Sequence, residues 1–136
     1  MPNFKLHKSE KLCGRTAIDK LFASGTSVTA YPLRAVFCTT NRACGAPAQF
    51  LVSVPKKKIK KAVGRVLLRR RIREAYRLNR DLIKATLSET ETKIDIAFIY
   101  LSDKPAEYET ISNKMRALLS GISDRIAAIE AERGNE

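Results

Sequence analysis

The stretch KKAVGRVLLRRRIREAYRLNR, residues 60–80, carries nine Lys or Arg and one acid, Glu74. The wider segment 56–84 holds half of the chain's 26 basic residues and only two acids, Glu74 and Asp81. Since the formal net charge is +12, the rest of the chain is close to neutral. Like charges at this density repel each other, and a charge needed only for solubility would be spread over the surface. The focused charge predicts a polyanionic partner.

The same stretch has the period of an amphipathic helix, which we predict over residues 60–86. Apolar side chains gather on one side of it. These predicted core positions are Leu67, Leu68, Ile72, Ala75, Leu78 and Leu82. The opposite side is cationic and carries Arg65, Arg69, Arg73 and Arg77 at i, i+4 spacing, followed by Arg80 and Lys84. A face that only contacts solvent usually mixes acids with bases, and few acids are present here.

Around this helix the pattern predicts three strands and two further helices. They are a helix over 15–23, strands over 33–40, 50–54 and 93–101, and a helix over 106–132. The first half of the chain leaves room for one more short strand. Ser24 and Gly25 end the first helix, because glycine tolerates a left-handed cap. A turn over 41–47 and a polar linker over 88–92 complete the order.

This order of elements predicts an α+β fold, a two-layer α/β sandwich. The length of 136 residues fits one domain over residues 1–136. We expect a basic flexible arm over residues 1–12 and an acidic flexible tail over residues 130–136.

The cysteines and apolar runs indicate a cytoplasmic protein without a membrane segment. Cys13, Cys38 and Cys44 form an odd set with no CxxC pair, unlike a disulfide framework or a zinc site. Reduced thiols of this kind are typical of the cytoplasm. The N-terminus has no long apolar segment typical of a secretory signal, and the run at residues 96–101 is too short to span a bilayer.

The residues needed for catalysis by the protein itself are missing. His7 is the only histidine, which leaves little for a nucleophilic triad. No Gly-rich phosphate loop is present, and the acids are too scattered for a nuclease that holds its own metal ions. We expect no catalytic residue and no metal ligand in the chain.

Residues 61–77 resemble the signature of the bacterial ribonuclease P protein subunit. That family carries Ala-Val-x-Arg-Asn, then Lys-Arg, then Arg-Glu on one helix. Here Ala62-Val63-Gly64-Arg65 matches the first part, Arg69-Arg70 stands where Lys-Arg is usual, and Arg73-Glu74 matches the last part. Position 66 departs from the pattern, because Val66 stands where the family usually has Asn. One polar contact to RNA is therefore lost or replaced.

Flanking segments extend the resemblance over most of the chain. Val52-Ser53-Val54 and then Lys56-Lys57 are similar to the family's approach to this helix. Ile18, Phe22 and Gly25 stand where the family usually has an apolar or aromatic pair and a glycine that ends its first helix.

The resemblance implies a protein that partners a large catalytic RNA, and the two together remove the 5′ leader from precursor tRNA by hydrolysis. It implies that the RNA holds the catalytic Mg²⁺ ions and that the protein alone binds no cofactor. It also implies an α/β sandwich whose long basic helix follows a left-handed crossover, with a cleft between the sheet and the first helix.

On this reading the cationic residues contact the phosphates of the catalytic RNA, since Arg can bind phosphate in a fork. The expected contacts are Lys56, Lys57, Lys58, Lys61, Arg65, Arg69, Arg70, Arg73 and Arg77. The single-stranded leader needs stacking surfaces, for which the candidates are Phe22 and Phe37, with Ile18 lining the same cleft. Ordinary core packing is the alternative for both aromatic rings.

Three other readings of the charge stay open at this point. A structural RNA-binding protein of ribosomal type would be equally small and basic and would need no leader cleft. A protein-only nuclease would cleave without an RNA partner, which the scattered carboxylates disfavour. A DNA-binding module is permitted by the long helix, although nothing resembles a helix-turn-helix, and we expect no DNA partner.

Overall fold

The computed structural model describes Leu12 and residues 15–40, 48–90 and 93–134, which form four helices and four strands. In chain order they are α1 (Arg15–Ser24), β1 (Thr26–Ala30), β2 (Leu33–Thr40), β3 (Ala48–Ser53), α2 (Ala62–Asn79), α3 (Asp81–Thr90), β4 (Lys93–Tyr100) and α4 (Tyr108–Gly134). The predicted strands and the first and last helices are present close to their predicted bounds, and β1 is the additional short strand. The predicted turn over 41–47 lies outside the described residues. The predicted linker does not begin at Ser88, because α3 extends through residue 90.

The four strands form one sheet in the order β1-β2-β4-β3. β2 runs antiparallel to both β1 and β4, whereas the edge strand β3 runs parallel to β4. A parallel pair needs a crossover from one end of the sheet to the other, and α2 and α3 lie in that connection. This arrangement confirms the predicted α+β class. The left hand of the crossover stays a prediction.

One face of the sheet packs against a layer formed by α2, α3 and α4. Successive strand residues point to opposite faces, so alternate positions of each strand enter this core. Phe50 of β3 and Phe98 of β4 contact Tyr76 of α2, with ring centroids 4.3 Å (Phe50–Tyr76) and 5.6 Å (Phe98–Tyr76) apart. These aromatic contacts fix α2 on the sheet. The side of α2 that carries Tyr76 is therefore buried, and the opposite side faces outward.

On the opposite face of the sheet, which we call the α1 face, α1 packs against the central strands β2 and β4. Leu21 of α1 packs there on Val36 and Ala97, and all three are buried. Leu12 joins this smaller core, and its backbone N–H donates to the carbonyl oxygen of Phe50 at 2.8 Å. Leu12 is the last residue of the arm predicted over 1–12, and the rest of that arm lies outside the described residues.

Position 25 requires glycine because atoms of Leu21 and Val36 approach its Cα too closely for a side chain. Its N–H donates to the Leu21 carbonyl oxygen at 2.8 Å, which ends α1. A Cβ at this position would lie 2.3 Å from that same oxygen and 2.5 Å from Cγ1 of Val36. The φ of Gly25 lies outside the left-handed region, so the reason predicted for this glycine is corrected to the absence of a side chain.

The single helix predicted over residues 60–86 is two helices that meet at Arg80. The carbonyl oxygen of Arg80 accepts from the N–H groups of Ile83 and Lys84, both at 3.1 Å. Just before the break, the Asn79 side chain donates to the Ala75 carbonyl oxygen at 2.8 Å, a contact that competes with regular helical bonding. The break lets both α2 and α3 pack along α4.

α4 closes the helical layer with a stripe of buried apolar residues. These are Ile111, Met115, Leu118, Leu119, Ile122 and Ile126. Residues 130–134 of the predicted tail are helical, and residues 135 and 136 lie outside the described residues. None of the helices described here is long and apolar enough to cross a membrane.

Candidate nucleic-acid interface

A lysine-rich turn leads from β3 into α2. Pro55 follows the strand, and its carbonyl oxygen accepts from the N–H groups of Lys58 at 3.0 Å and Ile59 at 3.1 Å. Ile59 is buried and holds the turn against the core. Lys56, Lys57 and Lys58 are exposed. The turn therefore presents three neighbouring ammonium groups to solvent on a fixed backbone.

Arg65 ties this turn to the first turn of α2. Its Nη1 donates to the carbonyl oxygen of Ile59 at 2.9 Å and to that of Lys60 at 2.8 Å. The sequence reading assigned Arg65 only to a phosphate. The geometry gives it a second task, because one end of its guanidinium is held by the backbone of the turn.

The outward side of α2 continues the positive charge. Lys61, Arg70 and Arg73 are exposed, while Arg69 and Arg77 are half-buried. Leu68, Ile72, Ala75 and Tyr76 on the other side of the helix are buried. We call the nine predicted phosphate contacts the cationic surface, and they all lie on the lysine-rich turn or on α2 and its N-cap.

Glu74 is the one acid within α2, and it is paired with Arg77. Nε of Arg77 donates to Oε2 of Glu74 at 3.1 Å, and Nη2 donates to Oε1. These bonds lower the pKa of Glu74, so its carboxylate stays charged at neutral pH. Arg77 is therefore partly neutralised by a neighbour on its own helix.

For four positions of the predicted helix, the sequence reading assigned the wrong side. Arg80 is only 3% exposed and does not extend the cationic face. Leu67, Leu78 and Leu82, predicted as core, are each more than 40% exposed. The break at Arg80 restarts the helical phase, so Ile83 and Leu87 carry the buried side of α3. Within α2 the core stripe is narrower than predicted.

Val66 lies on the outward side of α2 and is 58% exposed. Positions one helical turn away carry Arg69 and Arg70. The departure from the family pattern thus falls in the middle of the cationic surface, where an apolar side chain meets solvent.

The three predicted leader contacts separate into two groups. Ile18 packs beside the smaller core on the α1 face, and Phe22 of the same helix is 50% exposed. Phe37 points to the other face of the sheet, where it is 1% exposed in the main core. With 1% of its surface exposed, the ring offers almost no area for stacking, yet Phe37 contributes to the lining of a cavity beside α1. Its role as a leader contact stays a prediction.

The sequence reading missed several other residues of the α1 face. Leu51, Ile99 and Cys38 are half-buried there, and Arg34 is exposed, with Nε donating to Oγ of Ser27 at 2.7 Å. Burial, and then the charge of Asp95, raise the pKa of the Cys38 thiol, while Lys20 lowers it. The sequence did hold a signal for these residues. Successive residues of a strand point to opposite faces, so the positions that alternate with the core residues of β2, β3 and β4 must lie on the α1 face.

A cavity of about 360 Å³ borders α1 near the start of β1 and the end of β2. Lys20 and Ser24 of α1, Thr26 of β1 and Cys38 of β2 contribute to its lining. In the part of the chain that the structure covers, no three His, Cys, Asp or Glu side chains lie together as a group that could hold a metal ion. The rest of the lining comes from Phe37, Thr39 and Thr40 of β2 and Ile129 of α4, so this groove is bordered by a lysine, hydroxyl groups, a thiol and two apolar side chains.

Comparison with known proteins agrees with this arrangement. A family model described as Ribonuclease P matches residues 6–123. The ribonuclease P protein component of Porphyromonas gingivalis (strain ATCC BAA-308 / W83) is 37% identical over 125 residues, which span 92% of this chain and 91% of that protein.

Solved structures share the fold. The RNase P protein of Staphylococcus aureus has a TM-score of 0.66 at 21% identity, covering 82% of this chain and 94% of that one. The RNase P protein of Thermotoga maritima has a TM-score of 0.64 at 22% identity, covering 82% and 96%. With the sequence match over most of its length, this chain belongs to the ribonuclease P protein component family.

Proposed function

We propose that this protein binds the catalytic RNA of ribonuclease P with its cationic surface and the 5′ leader of precursor tRNA with its α1 face. In that role it promotes endonucleolytic removal of the leader and leaves the hydrolysis to the RNA. The observation that carries the proposal is the separation of the two surfaces. The buried side of α2 packs on one face of the sheet, whereas α1 packs on the other.

The cationic surface has the chemistry of a phosphate-binding site. Its lysines stand on an ordered turn, and its arginines project from a helix held by the aromatic contact of Tyr76 with Phe50. Fixed cations lose less conformational entropy on binding than mobile ones. Each phosphate that they neutralise releases counterions, so the affinity should fall steeply with salt.

The α1 face has the mixed chemistry of a site for single-stranded RNA. Phe22 offers an exposed ring, Ile18 and Ile99 offer apolar surface, and Arg34 and Lys20 offer positive charge. Stacking on an aromatic side chain contributes roughly 1–3 kcal/mol per base without demanding a sequence. Such a groove suits leaders of varied sequence.

In this proposal the Mg²⁺ ions belong to the RNA subunit, and the protein contributes binding energy and position. The cytoplasmic location predicted from the cysteines is part of the same proposal. Precursor tRNA and the catalytic RNA are the two partners.

The test is cleavage of a precursor tRNA at low Mg²⁺ by the catalytic RNA alone, by the protein alone and by both. We expect cleavage that requires the RNA and rises strongly when the protein is added. Cleavage by the protein alone would contradict the proposal. Tight binding to ribosomal RNA without stimulation of cleavage would favour the ribosomal-type alternative.

The leader site is tested by the affinity of the complex for precursor tRNA and for mature tRNA. Phe22→Ala should weaken binding of the precursor about 5- to 20-fold and leave mature tRNA unaffected, because only the precursor can stack on the ring. Phe22→Tyr keeps the ring and should retain most of the affinity. Equal losses for both tRNAs would indicate a packing defect.

A further inference from the structure

Three apolar side chains stand exposed in the middle of the cationic surface. Val63 is 81% exposed, Val66 is 58% exposed and Leu67 is 42% exposed. Val66 and Leu67 lie three and four residues after Val63, so the three form one patch on the outward side of α2. We call Val63, Val66 and Leu67 the apolar patch.

The patch is bordered by positive charge. Arg70 lies three residues after Leu67 and four after Val66, and Arg73 lies one turn further along the same side. Lys61 stands just before the helix, and all three cations are exposed. Whatever covers the patch must therefore tolerate or supply negative charge at its rim.

This positive border disfavours two occupants from the same protein, a second copy of the chain and the chain's own N-terminal segment. A second copy carries the same net charge of +12. Residues 1–11 contain three lysines and one glutamate, so that segment also has the wrong sign. An RNA strand has the required combination, because its phosphates are anionic and its bases and riboses present flat, weakly polar faces.

We propose that the apolar patch contacts base and ribose faces of unpaired nucleotides in the catalytic RNA, while the surrounding arginines hold the flanking phosphates. This inference rests on the proposed function, since it names a second kind of contact within the same surface. Val66 then replaces the polar contact of the usual Asn with an apolar one.

Apolar and ionic contacts respond differently to salt. Each lysine or arginine on a phosphate contributes about 0.7–0.9 to the slope of log affinity against log salt concentration. Burial of an apolar side chain releases no counterions and leaves the slope unchanged. The two kinds of contact can therefore be separated on one helix.

Leu67 and Leu78 form a matched pair for the experiment. Both lie on α2, and they are 42% and 41% exposed. Leu78 lies eleven residues further along, about 16 Å, and its neighbours one turn away include Glu74 and Asp81. Glutamine has a helix propensity close to that of leucine, so the same substitution can be made at both sites.

The experiment measures binding of the cognate ribonuclease P RNA at several salt concentrations by wild type, Leu67→Gln and Leu78→Gln. We expect Leu67→Gln to weaken binding about 3- to 10-fold at every salt concentration with an unchanged slope. Leu78→Gln should bind like wild type. Circular dichroism of both variants checks that α2 is intact.

Equal affinity of Leu67→Gln and wild type would overturn the inference, and this is also the result expected if the patch docks an acidic protein. Equal losses for both variants would overturn it as well. If wild type neither binds this RNA nor stimulates cleavage, the proposed function itself fails, which is a different outcome from a neutral Leu67→Gln.

Discussion

Nη1 of Arg65 lies 2.9 Å from the carbonyl oxygen of Ile59, six residues earlier in the chain. The same nitrogen donates to the carbonyl oxygen of Lys60 at 2.8 Å. These bonds join the lysine-rich turn to α2. Arg65 therefore positions Lys56, Lys57 and Lys58 relative to the arginines of the helix.

We expect Arg65→Lys to weaken binding of the catalytic RNA even though it keeps the charge. A lysine lacks the planar fork that places one nitrogen between two carbonyl oxygens, so the turn should loosen. The expected loss is about 5- to 10-fold, close to the net contribution of one ordinary hydrogen bond. Arg69→Lys is the control, because the family usually has Lys at this position and its side chain makes no bond to the turn that Arg65 holds. Equal effects of the two substitutions would count against the positioning role.

Arg70→Ala and Arg73→Ala should each reduce the salt dependence of RNA binding. Both side chains are exposed on the outward side of α2, so each should neutralise about one phosphate. The slope of log affinity against log salt concentration should fall by about 0.7–0.9 for each substitution. Arg125→Ala, on an exposed position of α4, should leave the slope unchanged. The idea fails if all three variants keep the wild-type slope.

Glu74→Gln should strengthen RNA binding. The substitution removes a negative charge from the cationic surface and releases Arg77, and we expect a gain of about 2- to 5-fold at low salt. The pKa of Glu74 is lowered below 4.5 by the hydrogen bonds from Arg77. Glu74 is thus charged at any pH above its lowered pKa, and it becomes neutral only as the pH falls through that pKa.

The gain from Glu74→Gln should therefore be as large at pH 5.5 as at pH 7.5. Glu109→Gln, which removes an exposed acid from α4, is the control for net charge alone. A gain that disappears by pH 5.5, or one that Glu109→Gln reproduces, would show that the Glu74–Arg77 pair does not limit binding.

The sequence predicts most of this fold because its elements carry strong local signals. Charge and period defined the basic helix, and Pro55 and Gly25 marked the ends of β3 and α1. The break at Arg80 was missed, since residues 79–81 contain neither Gly nor Pro and the break depends on packing of α2 and α3 along α4.

Phe37 illustrates why the sequence could not predict which β2 residues face α1. Both faces of β2 are apolar in its middle, with Ala35 and Phe37 on one side and Val36 and Cys38 on the other. Alternation then gives no preference for a face, and the structure places Phe37 on the side of the main core. Only the position of α1 shows that Val36 and Cys38 lie on the face that this helix covers.

Cys38 should react slowly with alkylating reagents at neutral pH. Its thiol pKa is raised above 9.0, first by burial and then by Asp95, and the thiolate is the reactive form. In a Cys13→Ser/Cys44→Ser variant, the alkylation rate by iodoacetamide should keep rising as the pH increases through 9. A plateau below pH 9 would contradict the raised pKa.

The same Cys13→Ser/Cys44→Ser variant tests whether the 5′ leader lies over Cys38. Because Cys38 borders the groove beside α1, precursor tRNA in the assembled complex should slow its alkylation several-fold. Mature tRNA, which has no leader, is the control and should leave the rate unchanged. Equal protection by the two tRNAs would place the leader elsewhere.

Gly25→Ala should destabilise the fold by about 1–3 kcal/mol, as an overpacked site does. The new Cβ would meet a backbone oxygen of α1 at 2.3 Å, and that oxygen cannot move without disturbing the end of the helix. Gly64→Ala is the matched control. Its Cβ would meet only Cγ2 of Ile59, at 2.9 Å, and alanine favours the helix by about 1 kcal/mol over glycine.

Urea unfolding of the two variants measures the difference. Gly64→Ala should lower the free energy of unfolding less than Gly25→Ala, because its close contact is with a side chain rather than a backbone oxygen and the helix gains from alanine. Gly25→Ala should also weaken binding of precursor tRNA more than binding of the catalytic RNA, since α1 carries Phe22 and the cationic surface lies on α2. If Gly25→Ala were as stable as wild type, the close contact of Gly25 with Leu21 and Val36 would not be what fixes α1 on the sheet.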